Sequence, residues 1–223
     1  VKTAITYRYE EDACNRVIYS ESHDEVANGK ARVPQEINND DPTGWHAQKR
    51  STLAAGLLFT SPGIPMIFQG QEFLQGEWFR DNVPLDWHMN EEYHGVARMY
   101  RDLIWLRLNR DGVSRGLCGQ NVAVTHVNDQ QNLIAFQRWD QHGDGDDVMV
   151  IANCGYEVKE GYRIGMPQSG EWKLRFNSDA SIYSDDFQNT LSTHLTATDE
   201  PQDGLPASAE VTIAPYSVLI YSR

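Results

Sequence analysis

The sequence predicts an α/β region followed by an all-β region. In the first half, two apolar segments of strand length alternate with two helical patterns, which is the order of parallel β/α units. After Gly112 the helical period disappears, and short segments with a period of two alternate with turn-rich stretches, as in a β-sandwich. Two parallel strands need cover on both faces and edges. We therefore expect residues 1–112 to be part of a larger parallel architecture and residues 113–223 to form an all-β domain.

The composition is that of a globular protein of 223 residues, with 40% apolar and 23% charged residues. Its 32 acidic and 19 basic residues give a formal net charge of −13. Nucleic acids and anionic membranes bind basic surfaces, so we expect neither as a partner. No apolar run approaches the roughly 18 residues of a membrane span, and nothing resembles a signal peptide. The start at Val1, without an initiator methionine, suggests a fragment.

The cysteines and the acidic runs predict neither a metal nor another cofactor. Cys14, Cys118 and Cys154 are far apart, odd in number and without a C-x-x-C pair, so no zinc site or disulfide framework is indicated. A reducing, cytoplasmic compartment is the simplest expectation. The run from Asp144 to Asp147 has a calcium-like composition but lacks the spacing of a calcium loop, so we predict a hairpin turn.

Residues 15–20 predict a buried strand, and a cluster of acids around one histidine follows it directly. In α/β folds, functional groups collect just beyond the carboxyl ends of such strands. This places the first candidate site at Glu21, Ser22, His23, Asp24 and Glu25. Residues 26–44, rich in Asn, Asp, Gly and Pro, predict a long loop.

A second β/α unit follows this loop. A helix is predicted from Trp45 to about Thr60, with Thr43 as its N-cap and with residues 61–63 ending it. Residues 64–68 predict another short apolar strand. It also ends in a polar cluster, residues 69–72, so Gln71 and Glu72 are expected to border the site.

Residues 73–90 predict a second loop, which contains Trp78, Asp86 and Trp87. Flat aromatic faces suit sugar C–H surfaces, although core packing is the alternative for each tryptophan. An amphipathic helix follows, with Asn90 as its expected cap and with the aromatic residues between 99 and 105 in the core.

The second half predicts seven strands, separated by turns. They lie at residues 121–127, 133–139, 147–153, 162–165, 172–177, 210–213 and 218–221. Residues 184–208 predict an irregular polar segment. Trp139 and Trp172 are expected to be half-buried, and the strands show no row of exposed aromatic residues at alternating positions that would indicate a ligand-binding face.

Several segments resemble the α-amylase superfamily (glycoside hydrolase family 13). Residues 19–24, which end in His23 and Asp24, resemble the conserved region that follows strand 7 of that family's barrel. Residues 57–73 resemble its strand 8 region. The Glu-Ser-His-Asp-Glu run, with Pro84-Leu-Asp-Trp87 downstream, is most similar to 1,4-α-glucan branching enzymes. The segments that resemble the family's C-terminal all-β domain are residues 134–139, 148–153 and 215–219.

The resemblance implies a specific architecture. Residues 15–110 would be the seventh and eighth β/α units of a (β/α)8 TIM barrel, and residues 113–223 a C-terminal antiparallel β-sandwich. Since a whole barrel takes about 250 residues, the first six units would lie outside this chain. We expect the uncovered strands to cause either self-association through residues 15–75 or local disorder there.

The resemblance also implies retaining glycosyl transfer on an α-1,4-glucan such as glycogen, starch or a maltooligosaccharide. Asp24 matches the carboxylate that stabilises the transition state, and His23 matches the substrate-binding histidine beside it. The nucleophile and the acid/base come from strands 4 and 5 of the barrel, so the isolated chain is expected to be inactive. The remaining candidate substrate-binding residues are Glu21, Glu25, Gln71, Glu72, Asp86 and Trp87.

Two alternatives stay open. In the first, the enzyme is an α-amylase-type hydrolase, which transfers the glycosyl unit to water instead of to the 6-hydroxyl of a glucan. Alternatively, the β-domain is a non-catalytic module that binds carbohydrate or only stabilises its neighbour.

Overall fold

A computed structural model describes residues 1–143, 145–187 and 190–223. The first region contains five helices and two short strands within the described residues. The helices are α1 (Lys2–Thr6), α2 (Val33–Ile37), α3 (Trp45–Thr60), α4 (Trp87–Glu92) and α5 (His94–Arg107), and the strands are β1 (Val17–Ile18) and β2 (Ile64–Pro65). None of the helices described is long and apolar enough to cross a membrane.

Strands β1 and β2 pair in parallel, with Val17 opposite Ile64 and Ile18 opposite Pro65. The predicted order of strand, helix, strand and helix is therefore present. Both strands are shorter than predicted, because each comprises only two residues. The prediction that the first strand is buried is wrong for this chain, since the side chain of Val17 is 48% exposed; that of Ile64 in the second strand is 50% exposed.

The long helices follow their apolar patterns, but the residues that cap them differ from the predicted caps. Helix α3 has the predicted bounds, and Gly44, not Thr43, is its N-cap. Asn90 is not a cap either, because it lies inside the separate helix α4, which Asp86 caps by accepting from the His88 amide at 3.1 Å. Of the aromatic residues between 99 and 105, Tyr100 is buried, but Trp105 is about half exposed, which corrects its prediction as a core residue.

The second region is antiparallel throughout its described strands. All seven predicted strands are present, and an eighth, β8, lies inside the segment predicted to be irregular. They are β3 (Asn121–Asn128), β4 (Leu133–Trp139), β5 (Val148–Asn153), β6 (Lys159–Met166), β7 (Gly170–Asn177), β8 (Leu195–Ala197), β9 (Ala207–Ile213) and β10 (Ser217–Ser222).

These strands form two layers with a core between them. One layer has the order β3-β4-β5-β10-β7-β8, and the other is the pair β6-β9. The core between the layers joins residues such as Ile151 and Leu219 of the large sheet to Ile164 and Val211 of the pair. Trp172 is completely buried in this core, whereas Trp139 is half-buried and stacks on His142, so half-burial is wrong for Trp172. The observed layers fit a β-sandwich.

The opposite face of the large sheet packs against α3 and α5. A second apolar core joins Val218 and Ile220 of β10 to Leu58 of α3 and Leu103 of α5. The C-terminal carbonyls of α3 receive hydrogen bonds from two arginines: Arg107 donates to Ser61 at 2.8 Å, and Arg138 donates to Thr60. Arg107 of α5 and Arg138 of β4 thus hold the end of α3, which residues 61–63 connect to β2. The division into domains of residues 1–112 and 113–223 stays a prediction.

Candidate functional site

A tight turn at the carboxyl end of β1 presents His23 and Asp24 to solvent. The amides of Glu25 and Val26 both donate to the Ser22 carbonyl at 3.1 Å, which closes the turn. The side chains of His23 and Asp24 are 69% and 84% exposed, and His23 Nε2 lies 3.3 Å from Asp24 Oδ1. Glu25 is exposed on the same turn. The structure thus places three of the predicted site residues together, with their polar groups free to meet a ligand.

Glu21, directly before this turn, points into the protein. It is 1% exposed, and each of its carboxylate oxygens accepts a hydrogen bond. One oxygen accepts from Arg32 Nη1 at 3.1 Å and the other from the Val33 amide at 2.7 Å. The Glu21 carboxylate is therefore engaged inside the protein and away from the exposed turn, and its contact with substrate stays a prediction.

The electrostatics of this buried pair follow from its desolvation. Burial raises the pKa of the Glu21 carboxyl, and the hydrogen bond from Val33 and the charge of Arg32 oppose that rise. Burial likewise lowers the pKa of Arg32, and the charges of Glu21 and Glu72 oppose that change. Glu72 Oε2 is buried and has no hydrogen-bond partner among the residues described. Glu72 therefore acts on this pair through its charge, from a half-buried position.

Gln71 links the ends of the two parallel strands. Its amide nitrogen donates to Ser20 Oγ at 2.5 Å, and its amide oxygen accepts from the Phe68 backbone N–H at 3.1 Å. Because it is buried and bonded on both sides, the structure does not support the predicted contact of Gln71 with substrate. Tyr100 lies in the core near Gln71, and burial raises the pKa of its phenol.

The second loop meets the first beside the turn. The Phe79 amide donates to the Val26 carbonyl at 2.6 Å, and Phe79 forms a parallel bridge with Ala27. Trp78 is therefore next to this bridge; its ring is exposed and lies 5.2 Å from the Arg80 guanidinium. This places an aromatic side chain on the rim of the site.

Trp87 and Asp86 lie farther along the second loop, at the start of α4. Trp87 is 63% exposed and rests on Phe73, with 5.6 Å between the ring centroids. Core packing is therefore the wrong interpretation for both Trp78 and Trp87. Asp86 is exposed, but one of its carboxylate oxygens caps α4.

Sequence reasoning missed Arg32. It lies in the loop predicted only as polar, yet it is among the most deeply buried side chains described. Its guanidinium donates to the Gln69 carbonyl at 3.0 Å and lies 4.9 Å from the centre of the Phe68 ring. One sequence signal could have found it, since an acid predicted at the end of a buried strand needs a nearby cation.

No group of three or more His, Cys, Asp or Glu side chains suited to a metal ion occurs within residues 1–143, 145–187 and 190–223. Asp144 lies outside the described residues. Strands β4 and β5, on either side of this segment, pair antiparallel, and the Asp146 carboxylate accepts from the amides of Asp140 and Gln141.

Comparison with known proteins identifies the all-β region. The family described as alpha amylase, C-terminal all-beta domain, matches residues 124–223. The 1,4-alpha-glucan branching enzyme of Shewanella baltica (strain OS195) is 32% identical over 223 residues, covering 97% of this chain and 28% of that enzyme. A branching enzyme of Xanthomonas euvesicatoria pv. vesicatoria is 33% identical over 184 residues, covering 81% of this chain and 24% of the enzyme. The chain thus spans about 28% of the length of the Shewanella relative.

Solved structures share the fold across both regions. A pullulanase complexed with maltotetraose, from Anoxybacillus sp. LM18-11, has a TM-score of 0.61 and 17% identity, covering 93% of this chain and 27% of that one. An alpha-amylase from H. orenii has a TM-score of 0.57 and 19% identity, covering 93% of this chain and 39% of that one. Residues 124–223 thus match the α-amylase C-terminal all-β domain family, and the chain as a whole is similar in sequence to 1,4-alpha-glucan branching enzymes.

Proposed function

We propose that this chain is the C-terminal part of a retaining α-glucan-active enzyme, a 1,4-α-glucan branching enzyme. One observation carries the proposal within the site: the Asp24 carboxylate and the His23 imidazole are exposed together just beyond a parallel strand, while Glu21 beside them is buried and engaged. Homology to branching enzymes over 97% of the chain supports it.

In the proposed reaction, each exposed side chain has a distinct role. Retaining transfer passes through an oxocarbenium-like transition state, and a carboxylate near the sugar ring stabilises its positive charge. Asp24 supplies that charge, and His23 binds a sugar hydroxyl beside it. Glu25, Glu72, Asp86 and Trp87 are proposed to border the α-1,4-glucan. The nucleophile and the acid/base are proposed to come from parts of the enzyme outside these 223 residues.

The same proposal assigns an architecture to the first region. Strands β1 and β2 would be the seventh and eighth strands of a (β/α)8 barrel, with α3 and α5 as their helices. Their parallel pairing and their exposed apolar side chains support this, because inner barrel strands are covered on both sides by further strands. We also propose a cytoplasmic location, in line with three free cysteines that are not paired with one another.

The first experiment assays the isolated chain and a chimera. In the chimera, this chain replaces the matching 28% of the Shewanella baltica enzyme. Iodine staining and reducing-sugar assays on amylose should show branching by the chimera and no activity of the isolated chain. Turnover by the pure 223-residue chain would contradict the proposal. Counting α-1,6 linkages in the product separates branching from hydrolysis.

The second experiment tests Asp24 directly. In the chimera, Asp24→Asn should lower kcat by about 10²–10³-fold, because it removes a charge that acts mainly in the transition state. Glu160→Gln is the matched control, since Glu160 is exposed on β6 of the sandwich. Equal activities of Asp24→Asn and Glu160→Gln would disprove the assigned role.

A further inference from the structure

We propose that Arg32 is the positioning residue of this site: it closes the loop that carries His23 and Asp24, and it ties that loop to the end of β2. The inference rests on the proposed function, because it concerns where Asp24 is held during glycosyl transfer.

The first part of the argument is the closure of the loop at its base. Glu21 precedes the loop, and Arg32 and Val33 follow it. The Glu21 carboxylate accepts from Arg32 Nη1 at 3.1 Å and from the Val33 amide at 2.7 Å, so both ends of residues 21–33 meet at one carboxylate. A loop whose ends are held together in this way behaves as a compact unit. The His23–Asp24 turn starts directly after Glu21, so any shift of Glu21 moves the turn.

The second part is the link to the neighbouring strand. β1 and β2 pair over only two residues each, which fixes their relative position weakly. Arg32 adds a donor to the Gln69 carbonyl at 3.0 Å and places its guanidinium over the Phe68 ring. One side chain thereby connects the loop after β1 to the segment after β2. Few other residues can do this, because the guanidinium offers several donors in a fixed plane and also stacks on aromatic rings.

The third part is burial. Arg32 and Glu21 are both almost completely inaccessible to solvent, so neither reaches a substrate directly. Any effect of Arg32 on the reaction must therefore pass through the residues that it holds. Lysine at this position would keep the charge but, as a point charge, could not hold Glu21, Gln69 and Phe68 together.

The competing interpretation is that Arg32 only stabilises the fold. The two interpretations differ in measurable ways, because loss of stability alone lowers the folded fraction and leaves the turnover of each folded molecule unchanged. A positioning role instead lowers kcat in molecules that are fully folded.

The first test is hydrogen exchange on the full 223-residue chain. In Arg32→Lys, the Glu25 and Val26 amides, which close the turn, should exchange about tenfold faster or more, while amides of the sandwich keep their rates. Arg163→Lys is the control, because Arg163 forms an exposed ion pair with Glu200 on the sandwich. If Arg32→Lys does not fold, Glu21→Gln tests the same contact from its other side. Unchanged exchange at Glu25 and Val26 in the folded variant overturns the proposal.

The second test is kinetic and uses the chimera. Arg32→Lys should lower kcat about a hundredfold with KM nearly unchanged, since small misplacements of a reacting group cost about this much. In an Asp24→Asn background the same change should cause a much smaller further loss, because Arg32 acts mainly through Asp24. An equal loss in both backgrounds, or no loss at all, overturns the positioning role. An inactive wild-type chimera instead refutes the proposed function, and the exchange test still decides whether Arg32 holds the turn.

Discussion

Arg138 is buried and has no carboxylate partner among the residues that the structure describes. Its guanidinium donates to the carbonyls of Asn121, Leu117 and Gly119, and also to Thr60 at the end of α3. Burial lowers its pKa to about 9, and the charge of Arg107 adds to the effect. Arg138 thereby joins backbone groups from several elements, whereas Arg32 at the candidate site joins one backbone carbonyl, that of Gln69, to the Glu21 carboxylate. In both places, one arginine satisfies buried acceptors that no regular secondary structure satisfies.

Tyr221 on β10 offers a test at the residue scale. Its hydroxyl is buried and has no hydrogen-bond partner within the described part of the chain. Tyr221→Phe removes this group while keeping the ring, so it should stabilise the chain by about 1 kcal/mol at neutral pH. Urea unfolding measures this difference. Tyr183→Phe is the control and should destabilise, because the Tyr183 hydroxyl donates to Asp102 at 3.0 Å.

The same residue predicts a dependence on alkaline pH. Burial raises the pKa of the Tyr221 phenol above its ordinary value of about 10. The unfolded chain therefore loses this proton first, so the related stability is complete below pH of about 10 and is lost as the pH rises further. Above a pH of about 10, the free energy of unfolding should therefore fall less steeply with pH for Tyr221→Phe than for the wild type. Equal slopes would contradict the prediction.

At the scale of elements, close approaches between backbones decide how α5 lies on its neighbours. Gly95, in the first turn of α5, faces the backbone of Tyr183, and a Cβ there would lie 2.2 Å from the Tyr183 carbonyl oxygen. Tyr183 belongs to the segment between β7 and β8, which also provides Asp179. That carboxylate forms a buried ion pair with Lys49 of α3, with 2.6 Å between Nζ and Oδ1. The segment therefore connects both long helices to the sandwich.

Gly95→Ala is predicted to destabilise the chain by about 1–3 kcal/mol, because backbone has to move to admit the methyl group. The loss should exceed the gain that alanine brings to a helix interior. Gly76→Ala is the matched control, since a Cβ at Gly76 meets nothing within 4 Å. Thermal unfolding compares the two variants. Equal midpoints would show that the close approach of Gly95 to the Tyr183 backbone does not exclude a larger side chain.

Local patterns predict which segments are helices and which are strands, but they predict the ends of these elements less accurately. The apolar period located α3 to the residue and all seven predicted strands. It missed α2 inside the polar loop and joined α4 to α5. Asp86 caps the start of α4, and Tyr93 lies between the end of α4 and the start of α5; neither residue changes the apolar period. Strand β8 was not predicted, because its three residues are too few to show an alternation of apolar and polar side chains.

At the scale of the whole molecule, two layers of β-strands carry two helices on one face, and the parallel pair lies at the margin. The apolar side chains of Val17 and Ile64 are half exposed there, beside the free edges of β1 and β2. Exposed apolar groups next to open strand edges favour association between molecules.

We therefore expect the 223-residue chain to self-associate as its concentration rises. The double variant Val17→Lys with Ile64→Lys should shift the chain towards monomer, because it places charges on the edge strands. Tyr156→Lys is the control, since Tyr156 is an exposed aromatic residue in the sandwich region. Light scattering measures the mass, and a monomeric wild type at every concentration would refute the prediction.

The sequence by itself determined the order of elements, the change from an α/β to an all-β pattern, and the segment that carries His23 and Asp24. These properties follow from local periodicity and from short runs of residues, which the chain displays without folding. Only the tertiary structure decided which polar residues face solvent. Asp24 and Glu21 are three positions apart and are both acids, yet one is exposed and the other is buried on Arg32. Their difference arises because Arg32, at the far end of the following loop, and the Val33 amide both donate to the Glu21 carboxylate, and the apolar period of the chain does not encode that meeting.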